Sequence, residues 1–195
     1  MQLRMLRPNL KNQPIIEIPD NYKIRTYQEG DDIHWAKIIN ASFGGSRTEK
    51  DTHSEIIDHP PFSPDGLFFI TQNKQPIGTA CAWKKDTHDT EIGYLHMVGV
   101  KPDHSGHRLG KWVSLAVIHY FCDHSFKCVI LDTDDFRLPA VKTYLNLGFV
   151  PIFADTDHPK WWRNLFQKLK LPVLPDQTSL IRNELSNSIF KKIYT

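Results

Sequence analysis

Cysteine and long hydrophobic runs are both scarce in this sequence, and their scarcity excludes several classes of protein. The three cysteines, Cys81, Cys122 and Cys128, are odd in number and form no C-x-x-C pair, so neither a disulfide framework nor a zinc site is expected. No stretch approaches the roughly 18 apolar residues that a membrane helix needs. No apolar segment follows Arg4 and Arg7, so we expect no secretory signal. The sequence therefore favours a reduced, cytoplasmic setting without membrane partners.

The chain also has little excess charge of either sign. Its 24 Lys and Arg against 22 Asp and Glu leave a net charge of +2, which argues against a nucleic-acid partner. The ten histidines are scattered without the tight spacing of metal ligands, so no metal is expected. What remains is an ordinary globular composition, 40% hydrophobic and 24% charged over 195 residues. This is enough for one compact domain with a terminal appendage.

Hydrophobic periodicity predicts an α/β fold with a mixed sheet (α+β). A strand and an amphipathic helix come first, followed by a β-hairpin and a further strand. The second half alternates helix and strand, which is typical of parallel pairing. The expected strands are 22–27, 66–71, 76–83, 91–100, 128–133 and 149–154, with helices before Gly44, from Arg108 onward and over 138–148.

Two terminal segments flank the predicted domain, which we place at residues 22–157. Residues 1–21 contain three prolines and are expected to form an extended arm. Residues 158–195 are expected to form a helical extension packed on the domain, because four apolar residues recur there on one helical stripe. These residues are Ile181, Leu185, Ile189 and Ile193. A contact between two copies through this stripe is the alternative, so both a monomer and a homodimer are compatible with the sequence.

The stretch "GVKPDHSGHRLGKWVSLAV", residues 99–117, carries the main chemical signal. A strand gives way to a polar turn with Gly106 and Gly110, and the turn leads directly into a helix. The first N–H groups of a helix are unpaired and lie at the positive end of its dipole, so they bind anions well. Gly106 and Gly110 would let a ligand approach this backbone closely. The turn is therefore a candidate phosphate site.

Two motifs resemble those of the GNAT superfamily of N-acetyltransferases. "VKPDHSGHRLG" is similar to the acyl-CoA-binding motif V-x-P-x-x-[R/Q]-x-x-G-x-[G/A]. "PAVKTYLNLGF" is similar to the later A-x-x-x-Y-x-x-x-G-F segment. The matching residues are Val100, Pro102, Gly110, Ala140, Tyr144, Gly148 and Phe149. Three residues depart from the family's patterns: Ser105 replaces Arg or Gln, Arg108 replaces the middle glycine, and Arg137 replaces a common Asn. The resemblance spans roughly Tyr22 to Phe153 and implies a GNAT-like fold.

The resemblance also implies that acetyl-CoA is the co-substrate, with an amine-bearing acceptor and no metal. Val98 and Val100 would pair with the pantetheine arm, in a strand that splays from its neighbour. The backbone amides from Ser105 to Lys111 would hold the pyrophosphate. The expected CoA-binding residues are Met97, Val98, Val100, Ser105, Gly106, His107, Arg108, Leu109, Gly110, Lys111, Arg137 and Tyr144.

Three residues are candidates for proton transfer. By the resemblance, Tyr144 would protonate the CoA sulfur; the alternative is that it only packs a helix face. His96 is the best base, because its ordinary pKa of about 6.5 suits neutral pH. In a regular strand it would share a face with Tyr94, Val98 and Val100. Its run "YLHMVGV" is similar to the histidine-bearing strand of arylalkylamine acetyltransferases, although a satisfied core histidine is an alternative reading. Glu91 is the second candidate base.

Arg108 also carries an expectation of its own. At the start of a helix it should have ordinary helical dihedral angles, with its side chain turned outward to contact a CoA phosphate. Because Arg108 and Ser105 depart from the motif, a non-catalytic acyl-CoA-binding sensor or scaffold is the alternative function. A phosphatase nucleophile motif in "CVILDTDDF" fits poorly, since Phe136 stands where that motif wants Thr or Val. The identity of the acceptor is not encoded in these motifs.

Overall fold

A single mixed sheet forms the centre of the computed structural model, which describes residues 1–153, 157–172 and 177–194. Its seven strands are β1 (Gln2–Arg7), β2 (Tyr22–Thr26), β3 (Leu67–Gln72), β4 (Gln75–Trp83), β5 (Ile92–Val100), β6 (Cys128–Asp134) and β7 (Val150–Pro151). They lie in the order β2-β3-β4-β5-β6-β1-β7. β5 and β6 pair in parallel, and the other neighbouring strands pair antiparallel. The mixed α/β sheet expected from the sequence is confirmed.

Helices cover both faces of this sheet. They are α1 (Asp32–Phe43), α2 (Glu49–Thr52), α3 (Leu109–Asp123), α4 (Leu138–Asn146), α5 (His158–Leu169), α6 (Thr178–Glu184) and α7 (Asn187–Tyr194). One π-helical turn (His53–Ile57) follows α2, and 3₁₀ turns occupy Pro64–Gly66 and Pro102–His104. Residues from α3, α4 and α5 share one apolar cluster, which also contains Leu95 of β5. On the opposite face, α1 packs over β3 and β4, and α6 and α7 pack over β6.

The N-terminus differs from the arm expected from its prolines. Residues 2–7 are extended, but they form β1 inside the sheet, between β6 and β7. The run "QLRMLR" has the period-2 pattern of a strand. Leu3 and Met5 pack in the apolar cluster that contains α3, whereas Leu6 packs on the opposite face, in the cluster that contains α7. Burial of these side chains on both faces of the sheet stabilises β1, even though the proline-rich residues that follow it favour an extended arm.

The apolar stripe near the C-terminus is buried, although it spans two helices instead of one. Ile181, Leu185, Ile189 and Ile193 pack with Leu6 and Ile130 on the sheet. The chain turns extended at Leu185, and the Ser186 hydroxyl then accepts a hydrogen bond of 3.3 Å from the Ile189 amide. A serine in that position starts a new helix. The stripe therefore covers the sheet from two short segments.

Candidate active site

β5 and β6 separate part-way along their length, and this separation opens the sheet. Their parallel pairing runs only from Ile92 and Cys128 to Tyr94 and Ile130. Beyond that point β5 continues to Val100 beside β4, whereas β6 continues beside β1. Over its second half, the edge of β5 that faces the gap therefore presents backbone N–H and C=O groups without a strand partner, although the Val100 carbonyl accepts a hydrogen bond of 3.0 Å from the Ser42 hydroxyl. Such groups can pair with an extended, amide-containing ligand.

A β-bulge lies in β5 at the edge of this gap. Met97 has a left-handed backbone with φ 51°, and the register with β4 shifts between Thr79 and Cys81. A bulge inserts one residue and so reverses the alternation of side chains beyond it. Val98 and Val100 consequently pack against the apolar cluster that contains Leu95 and residues of α3. The expectation that His96 shares a face with Val98 and Val100 is therefore wrong.

The turn after β5 presents a row of unengaged amides. The Ser105 amide donates to the Pro102 carbonyl and the Lys111 amide to the Arg108 carbonyl. These two ends of the expected pyrophosphate row are thus already used. Among the described residues, the backbone N–H groups from Gly106 to Gly110 have no acceptor. Gly106 has φ +86°, and a Cβ added at Gly110 would meet nothing within 4 Å, so the helix start is open to a ligand.

Arg108 precedes α3 in a left-handed conformation, with φ 56° and ψ 22°. The expectation of ordinary helical dihedrals is therefore wrong, because Arg108 is the N-cap residue and not part of the first turn. This conformation costs a side-chain-bearing residue roughly 1–2 kcal/mol, whereas glycine adopts it freely. The sequence thus places an arginine where the backbone favours glycine.

A cavity of about 480 Å³ lies between the turn, the end of β5 and α4. Nine of the twelve residues expected to bind CoA line it: Val98, Val100, Ser105, Gly106, Arg108, Leu109, Gly110, Arg137 and Tyr144. The remaining three face elsewhere. Met97 packs in the α1 cluster, the His107 ring lies 5.7 Å from Tyr22, and Lys111 Nζ lies 4.1 Å from the Trp112 ring. The bulge turns Met97 away from the cavity. The conformation of the turn does the same for His107, and the helical period does so for Lys111.

Tyr144 is buried at the wall of this cavity. Its ring packs 5.9 Å from Phe149, centroid to centroid. Burial raises the pKa of Tyr144 to about 12, against a smaller opposing effect of Arg137. The phenol therefore keeps its proton at neutral pH. Among the described residues its hydroxyl has no hydrogen-bond partner, so a bound group can receive its proton.

His96 points to the opposite face of the sheet from Val98 and is half-buried between two aromatic rings. The centroids of Trp83 and Tyr94 are 5.4 and 5.3 Å from its own. The pKa of His96 is lowered to about 4, mainly by burial and also by the Lys85 charge, while Asp132 opposes both effects. The expectation of an ordinary pKa is corrected by this burial. His96 is neutral at pH 7 and can accept a proton, but it is a weak base.

Glu91 is placed far from the turn. It comes just before β5, and it lines a second cavity together with Asn9, Cys122 and Glu184. Residues of a strand advance about 3.3 Å each, so Glu91 lies roughly 30 Å from Val100 at the other end of β5. The geometry does not bring Glu91 together with Tyr144, and we do not retain it as a candidate base.

Comparison with known proteins agrees with this geometry. The acetyltransferase (GNAT) family matches residues 33–149, more than half of the chain. The chain belongs to the GNAT family. A mycothiol acetyltransferase of Thermomonospora curvata is 32% identical over 78% of this chain and 52% of its own length. The one from Nocardia farcinica is 30% identical over 73% and 50%. The chain thus spans about half the length of the curated relatives it matches.

Solved structures of the GNAT class share the fold. A GCN5-related N-acetyltransferase from Sphaerobacter thermophilus has a TM-score of 0.65 at 18% identity, covering 77% of this chain and 48% of that one. A GCN5-related N-acetyltransferase from Kribbella flavida has a TM-score of 0.54 at 16% identity, covering 76% and 53%. At these identities the likeness concerns the fold alone. It confirms the GNAT-like fold that the two motifs predict.

In the sequence, Asp132 belongs to the poorly fitting phosphatase motif, and the structure places its carboxylate beside Tyr94. Its carboxylate is only 8% exposed; it pairs with Arg4 at 2.9 Å and with Lys85, and accepts a bond of 3.4 Å from the Tyr94 hydroxyl. Burial acts to raise the pKa of Asp132, but the hydrogen bonds of Arg4 and Lys85 outweigh it and lower the pKa. The sequence did not predict its partners Arg4 and Lys85, although a single acid in an otherwise apolar strand, as in "CVILDT", indicates a paired carboxylate.

Two further properties concern metals and membranes. Within the described ranges, no three His, Cys, Asp or Glu side chains are grouped so that they could hold a metal ion. Over the same ranges, none of the helices combines the length and the apolar character that a membrane crossing demands.

Proposed function

We propose that this chain is an acetyl-CoA-dependent N-acetyltransferase that moves an acetyl group to a primary amine by direct attack in a ternary complex. The observation that carries the proposal is the gap between β5 and β6, which ends at a turn with free amides and has Tyr144 on its wall. A folded catalytic unit would comprise β1, residues 22–157 and the helices that follow.

The cavity residues fit acetyl-CoA, which supplies the thioester. The amides from Gly106 to Gly110 would bind the pyrophosphate, because they combine free donors with the positive end of the α3 dipole. Val98 and Val100 would pair with the pantetheine arm through their backbone groups on the open edge of β5. Arg108 and Arg137 line the same cavity and would contact phosphate oxygens.

Two residues would move protons. Tyr144, protonated at neutral pH, would donate a proton to the departing thiolate. His96, neutral at the same pH, would take a proton from the acceptor's ammonium, directly or through a water. Because its pKa is low, His96 would hold the proton only briefly before solvent removes it. We propose His96 as a relay and Tyr144 as the general acid.

The relatives do not identify the acceptor of this chain, and a second candidate function remains to be tested. Those relatives are named mycothiol acetyltransferases, and the match covers only about half of their length, so we take from them acetyl transfer and leave the identity of the acceptor open. The strained Arg108 favours a second candidate, a non-catalytic acyl-CoA-binding module whose turn no longer needs to be optimal. Turnover with any amine separates the two.

Acetyl-CoA binding tests the cavity. Gly110→Glu should place a carboxylate in the open space before α3 and abolish binding measured by calorimetry, because it adds like charge at the pyrophosphate site. Gln167→Glu adds the same charge to an exposed position of α5 and should bind as the wild type does. Unchanged affinity in folded Gly110→Glu would refute the assignment of the cavity.

Turnover tests the reaction. A panel of amines should be assayed for CoA release with the wild type and with Gly110→Glu. We expect release with at least one primary amine in the wild type and none in the variant. If the wild type binds acetyl-CoA but acetylates none of the amines, the sensor or scaffold function replaces the enzyme.

A further inference from the structure

The ammonium of Lys85 occupies a small site on the face of the gap opposite the CoA cavity. Its Nζ bonds one oxygen of Asp132, Oδ2, and lies 4.6 Å from the centre of the Tyr94 ring. A carboxylate and an aromatic face together form the environment that binds an organic ammonium ion. The occupant comes from the protein itself, from the loop that follows β4.

Asp132 stands where the reaction needs a cation-binding group. Tyr94 pairs with Ile130 at the last paired position of β5 and β6. The same register continued by two residues would place Asp132 beside His96. Both side chains therefore lie at the first position where β5 and β6 are no longer paired. A group held by Asp132 lies next to the residue that we propose as proton relay.

Lys85 is not needed to neutralise Asp132. Arg4 already donates from Nε to Oδ1 at 2.9 Å, and the two residues are register partners on adjacent strands. Lys85 is the more exposed partner, with 41% of its side chain accessible. A partly exposed lysine pair is weak, with at most roughly a fivefold preference for the paired state. Lys85 can thus leave Asp132 without leaving a buried charge unpaired.

We propose that Asp132 and the ring of Tyr94 form the docking site for the acceptor's primary ammonium group, and that Lys85 is an internal competitor which the acceptor displaces. This inference rests on the proposed acetyl transfer and names the charge state in which the acceptor binds. An incoming ammonium replaces that of Lys85 one for one, so the charge balance around Asp132 and Arg4 is kept.

A cavity adjoins this site on the side of Lys85, Tyr94 and Arg4. Its volume is about 350 Å³, and it is also lined by Asp86, Asp89 and Lys192, whereas Asp132 does not line it. Lys192 pairs with Asp89 at 3.1 Å, so those two charges offset each other. The cavity begins on the α7 side of the sheet, whereas the CoA cavity lies by α3 and α4. The two substrates would approach the gap from different sides.

The test is a binding measurement made without acetyl-CoA. n-Butylamine is the probe and 1-butanol its neutral isostere, titrated at pH 7 while the ring signals of Tyr94 and His96 are followed by NMR. If Lys85 fills the site with the roughly fivefold preference of a partly exposed pair, its removal tightens the apparent Kd by roughly 5-fold. We therefore expect Lys85→Met to bind n-butylamine roughly 5-fold more tightly than the wild type.

Lys84→Met is the matched control. Lys84 is the preceding residue, and its Nζ lies 5.7 Å from the Phe126 ring, in a different environment; this variant should keep the wild-type affinity. Adding Asp132→Asn to Lys85→Met should abolish the gain. Because that change strands Arg4 and can unfold the chain, 1-butanol gives the same comparison in Lys85→Met alone, where it should bind no more tightly than to the wild type.

Each result decides the proposal. Equal n-butylamine affinity in Lys85→Met and the wild type overturns it, and so does an equal gain for 1-butanol, which would indicate a merely apolar space. Because acetyl-CoA is absent, the result stands apart from the proposed reaction. Tight amine binding without turnover would keep the ammonium site and refute the acetyl transfer, whereas turnover without the gain would do the reverse.

Discussion

Arg108 affects both the backbone strain before α3 and the contacts of the cavity, and two substitutions separate these effects. Its backbone is left-handed, with φ 56°, and its side chain lines the CoA cavity. Arg108→Gly and Arg108→Ala both remove the guanidinium, but only glycine relieves the strain. We expect Arg108→Gly to be more stable than Arg108→Ala by about 1 kcal/mol in urea unfolding.

Acetyl-CoA affinity should not follow that difference. Both variants lose the same charge-assisted contact, so both should bind acetyl-CoA roughly 10-fold more weakly than the wild type by calorimetry. Tighter binding in either variant would mean that Arg108 obstructs the site. Equal stabilities of the two variants would mean that the left-handed conformation is not retained in solution.

Tyr144 gives a prediction about chemistry alone. Because burial raises its pKa to about 12, the phenol is a proton donor over the whole working range. Tyr144→Phe should lower kcat roughly 100-fold while leaving the acetyl-CoA Kd unchanged. Tyr120→Phe is the control, since it removes a hydroxyl from α3, where Tyr120 stacks on His124 at 3.9 Å. If Tyr144→Phe retains its kcat, the thiolate is protonated by another donor or by water.

The elements next to the turn could be predicted from the sequence because their signals are local. The apolar run that ends at Val100, the polar turn and the amphipathic pattern of α3 all lie within a few residues of one another. The same is true of α4, where Pro139 lies in the first turn and Gly148, with φ +82°, follows the end. Local chemistry of this kind fixes where the CoA cavity begins.

β1 and the bulge in β5 could not be predicted in this way. β1 is a strand because β6 and β7 pair with it from more than 120 residues away in sequence, and its own run is short and followed by prolines. The bulge falls on Met97, a residue with no preference for a left-handed backbone. Pairing across β4 imposes it. The bulge then decides which side chains reach each face, so the sequence alone placed Val98 and Val100 on the wrong face relative to His96, whereas Tyr94 is its neighbour as expected.

In the molecule as a whole, the gap between β5 and β6 lies between two faces of the sheet that carry different groups. The α3 and α4 side carries the amides, Val98 and Tyr144. The other side carries Tyr94, His96 and Asp132, covered in part by α7. Because the two sets are separated by the sheet, the co-substrate and the acceptor can each be bound by a dedicated surface. They would meet only where β5 and β6 part.

The same burial that tunes His96 should make the stability of the whole chain depend on pH. Burial lowers the pKa of His96 to about 4, whereas an unfolded histidine titrates near 6.5. Between these values the unfolded chain binds more protons than the folded one. The free energy of unfolding must therefore fall as the pH falls from about 6.5 towards 4. Asp132 and Asp89, whose pKa values lie below the ordinary range, act only at still lower pH.

His53 supplies a control with the opposite sign. Burial acts to lower the pKa of His53, but Asp58 and Asp32 outweigh it and raise the pKa. Its contribution is thus present at low pH and lost as the pH rises. Urea unfolding at pH 7.5, 6.0 and 5.0 should show a decline in stability for the wild type, a flatter profile for His96→Gln and a slightly steeper one for His53→Gln, because His53 is 43% exposed. Parallel profiles for the wild type and His96→Gln would mean that water reaches His96 and that its pKa is ordinary. In that case His96 would be a stronger base than the relay proposed above.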